Sequence, residues 1–113
     1  MIKHLILLIP GIFLGFSLFG QNEIKADKLK EHVYFIASDS LEGRGLATES
    51  GRKAADYIAS QFKKSGLKKI GDSYFHPFFA RIGQTMLEGR NVIGLVEGND
   101  PDLKNEYILI GAH

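Results

Sequence analysis

The chain has no cysteine among its 113 residues. That excludes a disulfide framework and leaves core burial or bound metal to hold the fold. It also removes the residue on which a bacterial lipoprotein would carry its lipid. A dominant charge is missing too, because 14 lysines and arginines face 13 acidic residues, a formal net charge of +1. Nucleic-acid binding draws much of its affinity from neutralised phosphates and needs a strong basic excess, so nucleic acid is not an expected partner. Long apolar runs are scarce as well. The main one, residues 5–19, is broken by Pro10, Gly11 and Gly15, and it falls short of the roughly 20 residues that span a bilayer comfortably.

The position of that run gives it a meaning. Met1-Ile2-Lys3-His4 makes a short basic start, the apolar stretch follows, and the small residues Ser17 and Gly20 precede the polar Gln21-Asn22. This is the layout of a secretory signal peptide over residues 1–20, cleaved after Gly20. The expected location is therefore exported, periplasmic or secreted, with no membrane contact after cleavage. The alternative is an anchor retained through residues 5–19. Cleavage removes Lys3 and no acid, so 13 basic residues then balance 13 acidic ones.

In residues 22–37, Leu29, Val33 and Ile36 recur at helical spacing while Lys25, Asp27, Lys28, Lys30 and Glu31 fall elsewhere, which predicts an amphipathic helix. His32 lies beside the stripe and reads as a partly exposed helical histidine. Ser38-Asp39-Ser40 ends the helix, since short polar side chains compete for backbone hydrogen bonds. Residues 41–51 then form a loop with three glycines. Glycine permits close backbone approach, so such loops often border sites. Within it, Glu42 and Arg44 are candidates to pair with each other or to hold a substrate terminus.

Thr48 or Ser50 caps a second predicted helix. Gly51, Ala54, Ala55, Ile58, Ala59 and Phe62 give it a narrow face of small residues suited to close approach to a sheet. Gly66 followed by Leu67 supplies its stop. The pairs Lys63-Lys64 and Lys68-Lys69 read as the solvated side and end of this helix. After a turn at Gly71-Asp72, residues 74–79 predict an aromatic strand, with Pro77 placing it at an edge or bulge. His76 alternates with the aromatics and reads as a surface or hydrogen-bonded residue. Residues 83–89 are expected to connect to a second strand over residues 91–98, and Asn99-Asp100-Pro101-Asp102 to turn the chain.

The last stretch, Tyr107-Ile108-Leu109-Ile110-Gly111-Ala112-His113, reads as a buried third strand. Four large apolar residues lead into two small ones and one imidazole, with no helical spacing. A histidine there sits at a strand's carboxyl end, where open α/β sheets bind their ligands. Two helices followed by three strands leave this strand short of neighbours. The sequence thus reads as the front part of an enzyme domain that ends at its first active-site ligand.

Taken together, four segments resemble the amino-terminal part of the M28 family of zinc peptidases: Ser38-Asp39-Ser40-Leu41-Glu42-Gly43-Arg44, the helix with Ala54-Ala55-Asp56-Tyr57-Ile58 ending at Gly66-Leu67, Asn91-Val92-Ile93-Gly94, and the terminal stretch through Gly111-Ala112-His113. The resemblance covers essentially all of residues 21–113. It implies the start of a mixed-sheet α/β zinc-peptidase fold, a di-zinc centre and, most often, aminopeptidase activity on peptide substrates. Some members are carboxypeptidases or glutaminyl cyclases. By the same match His113 is a zinc ligand, and the general base and other ligands belong to sequence beyond these residues. Two zinc ions about 4 Å apart activate a bridging water and polarise the scissile carbonyl, while one imidazole is far from the three ligands of a catalytic zinc. The chain alone is therefore expected to be inactive. A different class of reading is a small exported binding module that uses the aromatic strand for recognition.

Overall fold

The computed structural model describes residues 23–113. The expected signal segment, residues 1–20, lies outside the described residues. The chain is a small mixed α/β structure. Helix α1, Ala26–Ile36, is followed by a short 3-10 helix, Asp39–Arg44, then helix α2, Glu49–Lys64, and strands β1, Phe75–Ile82, and β2, Thr85–Val92.

Helix α2 is the organising element, and its ends are set by local chemistry. The Thr48 side chain accepts a hydrogen bond from the Gly51 amide at 3.0 Å, so Thr48 rather than Ser50 is the cap. At the other end the Gly66 amide donates to the Lys63 carbonyl and the Leu67 amide to the Phe62 carbonyl. With Gly66 at φ +75°, this is the paired closure of a Schellman motif, which needs a left-handed residue there. Ala54, Ala55 and Ala59 are buried on the face that the small-residue spacing marks. Leu41 of the 3-10 helix completes the buried core at 2% exposure.

Helix α1 begins later than the sequence suggests, at Ala26, and Lys25 ahead of it offers no side-chain cap. Its contact face keeps Ile36 of the expected stripe, which is half-buried, but is otherwise rotated toward His32 and Phe35. Phe35 lies against Tyr57 of α2 with ring centroids 4.1 Å apart, and His32 Nδ1 shares a 2.7 Å hydrogen bond with the Tyr57 hydroxyl. Val33 of the predicted stripe is 62% exposed. The tyrosine decides this, because its ring needs an apolar partner and its hydroxyl a polar one, and the flank of α1 carrying His32 and Phe35 supplies both. On the outer surface Lys28 donates to Glu31 at 2.8 Å. That hydrogen bond and the attraction with it raise the lysine's pKa and lower the glutamate's.

The sheet departs most from the sequence expectation. It has two strands, paired antiparallel from Phe75 opposite Val92 to Ile82 opposite Thr85. The expected connection at residues 83–89 is mostly strand. Only Gly83 and Gln84 turn the chain, and Gly83 at φ +61° gives the positive angle that a two-residue hairpin favours. Of residues 91–98 only the first two are in β2. The hairpin is extended by Ile93 donating to the Tyr74 carbonyl and by a bridge between Lys68 and Leu95. The expected third strand is not formed among the described residues. Residues 107–113 have no strand assignment, and positions 107–110 are 77 to 93% exposed rather than buried. A run that apolar expects neighbouring strands, and no other described segment pairs with it. The turn at residues 99–102 does form, closed by Asp100 Oδ1 accepting from the amides of Asp102 and Leu103.

Candidate functional site

The glycine-containing segment that runs from the kinked end of the 3-10 helix to the start of α2 is strained in its backbone. Glu42, Arg44 and Ala47 have φ of 46°, 56° and 61°, a region that non-glycine residues adopt only at a cost of about 1 kcal/mol or more. Packing and hydrogen bonds hold them there. Leu41 is anchored in the core, Thr48 Oγ1 donates to the Gly45 carbonyl at 2.7 Å, and Arg52 Nη1 donates to the Ala47 carbonyl at 3.2 Å. Gly51 allows the loop to close, because a Cβ at that position would lie 2.4 Å from the Gly45 carbonyl oxygen.

Within this frame Glu42 does not pair with Arg44. Its Oε2 accepts a 2.8 Å hydrogen bond from the Ser50 hydroxyl, and Ser50 is itself buried in the first turn of α2. The Ser50 hydroxyl, directing its proton to the carboxylate, thereby supports the orientation of Glu42. Arg44 is exposed beside it.

The histidines are placed apart in role. His113 ends the exposed terminal segment. Among the described residues no three histidine, cysteine or acidic side chains are grouped to hold a metal, so these residues do not by themselves fit a zinc ion. His32 is committed to Tyr57. His76 is half-buried rather than on the open surface, and its Nε2 is buried without a hydrogen-bond partner. Arg90 of β2 also has a buried, unpartnered Nε, while its Nη2 reaches α2 through Asp56 Oδ1 and the Arg52 carbonyl, both at 3.3 Å, and its guanidinium stacks 4.6 Å from the Phe75 ring centre.

Comparison with family models, with curated proteins and with solved structures returns no match to this chain. The functional reading therefore rests on the chain's own residues. No helix among the described residues is long and apolar enough to cross a membrane.

One concave feature was not anticipated from the sequence. A groove of about 600 Å³ runs between the end of α2 and the start of β1, lined by Ala59, Ser60, Lys63, Leu67, Lys68, Lys69, Gly71, Ser73, Tyr74 and Phe75. The lysine pairs were visible in sequence, but their shared groove depends on the Schellman turn folding residues 67–69 back beside the helix.

Proposed function

We propose that this chain is the amino-terminal part of an exported zinc metallopeptidase domain of the M28 kind, acting as an aminopeptidase on peptides, with His113 contributing one ligand to a di-zinc centre. The observation that carries the reading is the conjunction at residues 107–113. An apolar segment, solvent-exposed and without a strand partner among the described residues, leads directly into Gly-Ala-His. Buried by flanking strands, such a segment would deliver an imidazole to the carboxyl edge of a sheet. The pinned loop bearing Glu42 and Arg44 supports the reading further, since backbone held at positive φ by surrounding structure is concentrated at functional sites.

Bound zinc would supply water activation and carbonyl polarisation. The present residues contribute the imidazole and the scaffold of α2 and its loop, and no general base is assigned among them. A second reading, a non-enzymatic binding module, is favoured by Phe79 of β1, which is 68% exposed.

The test is to sequence the gene past codon 113 and to assay its full product for metal content and for cleavage of aminoacyl-p-nitroanilides. The peptidase reading expects an Asp two positions after His113, about two zinc ions per chain, and loss of zinc and activity in His113→Ala. A full product that binds no zinc, or one whose zinc and activity survive that substitution, overturns it.

A further inference from the structure

We infer that the groove between α2 and β1 is a docking site for an acidic peptide segment that inserts one apolar side chain. Three lysines, Lys63, Lys68 and Lys69, line it and no acidic residue does. Its floor is apolar, formed by Ala59, Leu67, Tyr74 and Phe75. The Tyr74 ring is fixed by its hydroxyl donating to the Leu67 carbonyl at 2.5 Å and by an edge contact with Phe62. Lys69 Nζ stands 5.9 Å from the centre of that ring, so a cation and an aromatic face are presented together. Ser73 adds a donor: its oxygen already accepts from the Phe75 amide, which leaves its hydroxyl proton for a ligand.

The chain itself shows the complementarity. Glu97 reaches the rim and accepts from Lys68 Nζ at 2.5 Å. It opens a stretch in which Asp100, Asp102 and Glu106 face only Lys104 as a counter-charge. Lys63 and Lys69 take part in no ion pair among the described residues. A visiting carboxylate therefore meets two available lysines and a third held by an internal competitor.

The occupant's class follows from shape and charge. The groove's volume of about 600 Å³ lies within the roughly 300–1,000 Å³ typical of ligand sites. It admits a side chain with flanking backbone. A bare anion would gain nothing from the apolar floor, and an anionic lipid surface would need a broad basic face, whereas the whole chain carries a formal charge of only +1.

The probe is a fluorescein-labelled octaglutamate peptide with one central phenylalanine, titrated by anisotropy into the full chain at 50 and 150 mM salt. Binding is expected to weaken with salt and to fall about tenfold in the double variant Lys63→Ala, Lys69→Ala, each exposed charge contributing about threefold. Glu97→Gln is expected to tighten binding about threefold, because it releases Lys68. Circular dichroism confirms that each variant retains its helices. Unchanged binding in the double variant, or weaker binding in Glu97→Gln, overturns the proposal. Equal competition by inorganic phosphate or by the octaglutamate without phenylalanine, or equal binding to phosphatidylserine vesicles, also overturns it, since the apolar floor would then play no part.

Discussion

Leu41 shows how one side chain can anchor a strained loop. It is the most buried large residue described, at 2% exposure, and it immediately precedes Glu42, the first of three non-glycine residues held at positive φ. Its burial supplies the free energy that keeps the loop in that conformation, and the Glu42–Ser50 hydrogen bond alone, worth about 1 kcal/mol, would not. Leu41→Ala is therefore expected to destabilise the fold by about 2–4 kcal/mol, measured by urea unfolding, and Ser50→Ala by only about 1 kcal/mol. Similar losses from the two variants would mean that the carboxylate contact, and not the core, fixes the loop.

At the scale of elements, α2 contrasts with everything around it. Its signals are local: Thr48 caps it, 3.6-residue spacing buries its alanines, and Gly66 closes it. All three were legible in the sequence. Thr48→Ala should cost about 1 kcal/mol and leave α1 and the hairpin intact, as hydrogen exchange localised to residues 48–52 would report; protection lost evenly across the chain would contradict a local capping role. The other elements depend on partners. Residues 85–89 of β2 read as a connection because Gly83 and Gly89 flank a mixed polar run, with a strand expected only from Asn91, and only the pairing with β1 distinguishes a strand from a loop there. The contact face of α1 was legible only at Ile36, because Tyr57, lying outside the small-residue stripe of α2, recruits His32 and Phe35. Of the candidate site, the glycine-containing loop was legible from residue type and spacing, whereas a ligand role for His113 follows only from the resemblance. The lysine groove and the orphaned His76 nitrogen depend on tertiary placement, which no local pattern encodes.

For the whole molecule, the balance between buried and exposed apolar surface is unusual. Among the described residues the buried apolar core is Leu41 with Ala54, Ala55 and Ala59, while Ile108, Leu109 and Ile110 are at least 90% exposed. Soluble monomers seldom expose a contiguous apolar run, and an extended one with free backbone groups is a template for pairing with another strand. Within the M28-like reading, neighbouring strands of the complete domain would cover it. Without them the chain is expected to bind a hydrophobic dye and to self-associate as its concentration rises in sedimentation runs. The double variant Ile108→Lys, Ile110→Lys should suppress that association and change stability by less than about 0.5 kcal/mol, because the replaced side chains are almost wholly exposed. Association that persists in the variant would move the sticky surface to the open face of α1, where Leu29 and Val33 are also exposed. Suppressed association with a large loss of stability would instead show that residues 107–110 are packed in solution, and the case for a strand awaiting its neighbours would fail.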